Sequence, residues 1–213
     1  LSDEKYITAS CVISENAVYK NGRIVFENKD ADVHAFLLSI YQYLEVNYPK
    51  FYKMDNLSKL GWLASDILLK EAHIKENYLA EETGVILSNA DSSLDTDLKY
   101  FETVKDMASP ALFVYTLPNI MIGEICIRNN FKGENSFFIF EQFDANFIKQ
   151  YVSNLLNNNN LQICICGWVE LFKEEYKAVL FLVENVKRGG ANLFTKEQIE
   201  NVFREPGYIN AKI

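Results

Sequence analysis

The stretch Gly133-Glu134-Asn135-Ser136-Phe137-Phe138-Ile139-Phe140-Glu141-Gln142-Phe143 decides the fold. Ser136 to Glu141 is rich in aromatic and β-branched side chains and reads as a strand. Phe143 to Leu156 follows at helical spacing, with Phe147, Val152 and Leu155 on the inner side. After the asparagine run 157–160, a polar loop, Leu161 to Gly167 and Ala178 to Val183 are continuously apolar, as strands covered on both faces must be. A strand, a helix and two more buried strands in this order predict a sheet with helices laid on its faces.

The chain upstream of Gly133 has the same rhythm. Tyr6 to Ile13 reads as a first strand, and Asn21-Gly22 centres a hairpin over Ala17 to Phe26, because a type I′ turn needs φ > 0 at both positions. Asp32 precedes Val33, Phe36, Leu37, Ile40 and Leu44 at helical spacing, and a second helix is predicted from Leu57 to about Ala72. Gly84 to Ser88 is a short buried strand. Asp95 to Lys105 forms a helix through Leu98, Phe101 and Val104, and Ser109-Pro110 opens a helical region that runs on to about Asn130. Near the end, Thr195-x-x-Gln198 is a capping box, with Phe194 placed to staple onto Ile199, so a last helix is expected over about 195–204. The central order is β-α-β-α-β-α-β-β: one α/β unit over 1–213, with a mixed sheet and helices on both faces.

Composition narrows the function. A net charge of -8 with no basic cluster argues against nucleic acid and anionic membranes as partners. No apolar run approaches the ~18 residues of a membrane helix. The first residues, Leu-Ser-Asp-Glu-Lys, lack a basic and then apolar leader, which predicts a cytoplasmic location. Cys11, Cys126, Cys164 and Cys166 read as small buried hydrophobes in a reducing compartment, since no further soft ligands are spaced for zinc. His34 and His73 are the only histidines, so the stock of acid–base groups is thin.

Several of these strings resemble the N-terminal half of a β-ketoacyl synthase, which has a thiolase-like fold. Met54-Asp55 and the helix to Ala72 are similar to the family's first long helix, and Gly84 to Leu87 to its second strand. Ser109-Pro110 through Leu117-Pro118-Asn119 to Phe131-Lys132-Gly133 is similar to the run that precedes the nucleophile strand. The family's condensing cysteine lies nine residues past that glycine, where this chain has Gln142. On the other side, Cys164-Ile165-Cys166-Gly167-Trp168-Val169-Glu170 falls where the family has a Gly-Gly-x-Glu-like turn. The departures are Glu134 for Pro, Trp168 for the second Gly and Gln142 for Cys. The resemblance covers about 6–185, leaving the last helix as an extension. Glu141-Gln142 resembles the chain-length-factor branch, including its half-length members in aryl-polyene and flexirubin-type clusters.

The resemblance implies a role. Claisen condensation needs a thiolate to carry the acyl chain and two basic groups to assist decarboxylation. A carboxamide is no such nucleophile, and the sequence has no histidine after His73. The expected function is therefore a non-catalytic partner of a full-length ketosynthase, meeting acyl carrier protein through that subunit, with no cofactor and no metal. The alternatives are a synthase-like enzyme or decarboxylase acting on carrier-protein thioesters, and a homodimeric scaffold. Gln142 is either a relic of the nucleophile position or a polar residue whose amide satisfies buried backbone groups. Phe138, Phe140, Glu141, Gln142 and Phe143 either serve a buried sheet or face a partner strand and acyl tunnel. Asp91 and Leu94, in the segment from Ser88 to Phe101, either cap a helix or end the partner's tunnel, and Asn119 opens the helix beside them.

Overall fold

A computed structural model describes residues 4–158 and 161–208. Its sheet has the order β3-β2-β1-β7-β6-β4-β5. β1 (Tyr6–Ser14), β2 (Ala17–Lys20) and β3 (Arg23–Glu27) form the antiparallel side. The β2–β3 turn has φ of 51° at Asn21 and 76° at Gly22, as the type I′ reading predicts. β4 (Thr83–Asn89), β5 (Asn135–Ile139) and β6 (Ile163–Phe172) run parallel, while β7 (Glu175–Glu184) is antiparallel to β6 and to β1. The short β8 (Asn192–Leu193) pairs with the start of β1. β4, β6 and β7 are buried almost throughout, which explains their unbroken apolar sequences.

Helices cover both faces. On one lie α1 (Val33–Tyr43), α2 (Asn56–Leu69) and α6 (Asn119–Asn129), packed around Phe36, Leu60, Trp62, Leu63 and Ile125. On the other lie α7 (Ala145–Asn157) and α8 (Lys196–Arg204), packed around Ile86, Ile148, Val152, Phe181 and Ile199. Asp32, Asp55, Asp144 and Thr195 each accept the amide three residues on, at 2.8, 2.9, 2.9 and 3.3 Å, and so fix where these helices begin. α8 is held by Ile199 and Val202, with Phe194 and Ile199 both in the core beneath it. The short α3 (Ile74–Asn77) follows α2.

Four expectations need correction. β5 ends at Ile139, two residues short of the expected Glu141, because the chain bends away from the β4 edge after the Phe140 amide bonds the Asn89 carbonyl at 3.0 Å. The helical region 109–130 divides into α5 (Pro110–Val114) and α6, since Pro118 cannot donate a helical amide. Cys164 to Glu170 is not a turn but part of the unbroken β6; the chain reverses at Lys173, where φ is 56°. Gly167 in its middle has φ 147° and lets β7 approach so closely that a Cβ would meet the Val179 carbonyl oxygen at 2.0 Å. Finally, Asn157 ends α7 rather than opening a loop; Asn159 and Asn160 lie outside the described residues.

Candidate functional site

β4 and β5 end together, and β6 runs on past them to Phe172. Asn89 of β4 stands opposite Ile139 of β5, and Ser88 opposite Trp168 of β6. Crevices beyond such carboxyl ends are where open α/β sheets place ligands. Three segments leave from this edge: 90–93 after β4, 140–144 after β5, and the last residues of β6. The Glu170 carboxylate ties the first to the third, accepting the amides of Ala90 at 2.5 Å and Asp91 at 3.3 Å. Its partial burial holds its carboxyl above the usual carboxylate range. Buried Asn89 fixes the same loop, donating to the Ser92 carbonyl at 2.8 Å and accepting the Ser92 amide at 3.0 Å.

Gln142 sits in the bend between β5 and α7 and is exposed. Of the two roles read for Gln142, an amide satisfying buried backbone groups has no hydrogen bond among the described residues behind it, because the bend stands outside the ladder. Glu141 is likewise exposed. The aromatics around them split between two clusters. Phe138 and Phe140 stack at 6.0 Å and meet Phe147 at 4.9 and 4.8 Å. Phe143 turns the other way, stacking on Phe203 of α8 at 4.2 Å and meeting Trp168 edge-on at 5.9 Å. β5 is an edge strand among the described residues, with Ile139 half exposed on it.

The helix that follows β4 is inverted. α4 (Leu94–Val104) buries Asp95 and Thr96 and exposes Leu94, Leu98, Phe101 and Val104. Its periodicity was legible in sequence, but that apolar stripe faces away from the core. Polar contacts dock it. Thr96 Oγ1 donates to Asp55 Oδ2 at 2.7 Å, Asp95 accepts the Lys173 amide at 3.1 Å, and the Ser93 hydroxyl donates to the Thr116 carbonyl at 2.6 Å. Burial holds the Asp55 carboxyl above its ordinary range. α5 continues the apolar surface with Phe113, Val114 and Leu117 exposed, and Phe113 meets Tyr100 at 5.5 Å. Asn119 is exposed at the first turn of α6, close in sequence to the Thr116 contact. The fold thus brings Asp91, Leu94, Glu141 and Gln142 to neighbouring strand ends; no described hydrogen bond joins Asn119 to Gln142.

Nucleophile chemistry is scarce here. Cys11 is buried and pushed up to about 12, half-buried Cys126 to about 11, and burial raises Cys164 and Cys166 further. Thiols in such surroundings stay protonated at neutral pH. His34 is exposed on α1, and His73 lies beside Glu76 (3.1 Å) at the opposite end of the sheet. Among the described residues no group of His, Cys, Asp or Glu is arranged to hold a metal ion, and no helix is long and apolar enough to cross a membrane. Sequence reasoning missed Glu170 as the clamp on the β4 loop and Phe203 as the cover of Phe143. For Phe203 the signal was present: it shares a helical face with Ile199.

The sequence matches no protein-family model and no curated protein. The fold does match solved structures. The ishigamide ketosynthase/chain length factor superposes with a TM-score of 0.62 at 16% identity, over 86% of this chain and 62% of that one. The AntDE ketosynthase in complex with its acyl-carrier protein AntF gives 0.57 at 15%, over 85% and 62%. The ketosynthase ApeO in complex with its chain length factor ApeC, from Xenorhabdus doucetiae, gives 0.53 at 12%, over 84% and 78%. The chain has the thiolase-like fold of these proteins and spans less than two thirds of the first two. At such identities the likeness concerns fold.

Proposed function

We propose that this chain is a non-catalytic, chain-length-factor-like subunit of a β-ketoacyl-acyl-carrier-protein synthase, acting in polyketide-type synthesis of the aryl-polyene kind. The observation that carries the reading is Gln142, a carboxamide in the strand-to-helix bend where the family resemblance expects the condensing cysteine, with every described cysteine thiol elsewhere held protonated. A carboxamide cannot carry an acyl chain as a thioester. The inverted α4 supports the partner role. Exposed apolar patches of this kind mark association surfaces; α4 and α5 carry one, and β5 is an edge strand among the described residues. In this reading Leu94, Asp91, Asn119, Phe138, Phe140, Glu141, Gln142 and Phe143 form or support the contact with a full-length ketosynthase, and acyl carrier protein docks on that subunit.

The reading is tested by reconstitution. The chain is co-expressed with the ketosynthase encoded nearest its gene, and condensation of malonyl-carrier protein is assayed with each subunit alone and with both. Activity that requires both, and that survives Gln142→Ala, supports a non-catalytic partner. Condensing or decarboxylating activity of this chain alone that is lost in Gln142→Ala contradicts it. A homodimer that leaves the ketosynthase unchanged makes the protein a scaffold instead.

A further inference from the structure

Away from the carboxyl ends, at the opposite end of the sheet, a cleft of about 480 Å³ opens between the residues leading into β1, the second half of α7 and the segment from β8 to the N-cap of α8. Lys5 lines it. This lysine is only 7% exposed, yet its ammonium makes no hydrogen bond or ion pair to any described residue. Its stem is buried while its ammonium opens into the cleft, where it can meet an anion. Lys149 lines the same cleft from α7, also without a described ionic partner. The one carboxylate there, Glu4, is engaged by the Tyr6 hydroxyl at 2.8 Å.

Hydroxyl and amide side chains share the lining with Leu193 and Phe194. Ser153 and Asn154 project from α7, and Thr195 is the N-cap of the nine-residue α8. The Thr195 side chain takes the Gln198 amide, and the preceding amides of that turn have no intrahelical acceptor. A helix N-terminus carries positive potential, and here it adds to two ammonium groups. The geometry points to a binding site for a phosphate monoester. Its dianionic head would lie between Lys5, Lys149 and the α8 N-terminus, and the remaining volume would take a small organic group. A phosphate suits this ring better than a carboxylate, because its three terminal oxygens can meet donors from three elements at once.

The test is a titration of isotopically labelled full-length chain with inorganic phosphate, followed by amide chemical shifts. Saturable shifts are expected at Lys5, Ser153, Asn154, Thr195 and Lys196. Lys5→Met keeps the buried stem and is expected to weaken phosphate at least about tenfold, as loss of a charge-assisted hydrogen bond does, while Lys5→Arg stays within about threefold. If Lys5→Met fails to fold, Lys149→Met on α7 replaces it, with an expected loss of about threefold to tenfold. Absence of saturation, shifts elsewhere, or equal affinity in the lysine variants overturns the site. Acetate binding as tightly as phosphate overturns the assignment to phosphate esters.

Discussion

Two helices that follow neighbouring parallel strands make opposite use of amphipathicity. α7, after β5, buries Ala145, Ile148, Val152 and Leu156 and turns Gln150, Asn154 and Asn157 outward. α4, after β4, buries Asp95 and Thr96 and turns Leu98 and Phe101 outward. The first finds its apolar partner within the chain, in the sheet and in α8. The second does not, and its polar side is spent on capping and docking contacts instead. A helix held to its own domain by hydrogen bonds, with leucine and phenylalanine exposed, offers an apolar face that the described residues leave uncovered.

This contrast can be broken at either helix. Ile148→Ala removes a fully buried side chain beneath α7 and is expected to cost about 2–5 kcal/mol in urea unfolding. Phe101→Glu, by contrast, is expected to leave stability within about 0.5 kcal/mol, as exposed substitutions do. The same change is expected to weaken ketosynthase binding by about 2–4 kcal/mol in isothermal titration, because a charge then stands in a buried contact. If Phe101→Glu instead unfolds the chain, α4 is a core helix and the contrast fails.

Smaller effects sharpen the account of how α4 is docked. Thr96→Ala removes the 2.7 Å bond to Asp55 and is expected to cost about 1–2 kcal/mol and to speed amide exchange across α4. Asp55→Asn tests the electrostatics. Burial raises the folded-state pKa of Asp55, so its ionisation opposes folding fully above that pKa and not at all below the unfolded value. The stability of Asp55→Asn relative to the parent is therefore expected to be greater at pH 7 and to fall as pH drops into the carboxylate range. A constant difference across pH in paired urea curves would contradict this.

Much of the fold was legible because local rules and burial agree there. The unbroken apolar runs of β6 and β7, the Asn21-Gly22 hairpin and the Asp32, Asp55 and Thr195 caps each signal one outcome. The errors arose where tertiary context decides. The helix through Leu98, Phe101 and Val104 was legible from periodicity, but periodicity alone does not say whether its apolar stripe faces the core, and here it faces outward. The Gly167 segment was expected as a turn only from the family resemblance; its apolar residues read as a strand, and the glycine lies within β6, where it admits the Val179 carbonyl. At the candidate site, Gln142 was found by counting from Gly133. That count has a physical anchor: a Cβ on Gly133 would meet the carbonyl oxygens of Thr83 at 2.5 Å and Glu81 at 2.8 Å. Exposure of the Gln142 amide and the grip of Glu170 on Ala90 depend on how three strand ends meet, which no single segment encodes.

The most direct test of the partner role is co-purification of this chain with its neighbouring ketosynthase, followed by size-exclusion chromatography with mass detection, for the parent and for a Leu98→Glu, Phe101→Glu variant. The account predicts a stable 1:1 complex with the parent and two separate, folded subunits with the variant. A complex that forms equally well with both, or a parent chain that elutes alone, would contradict it.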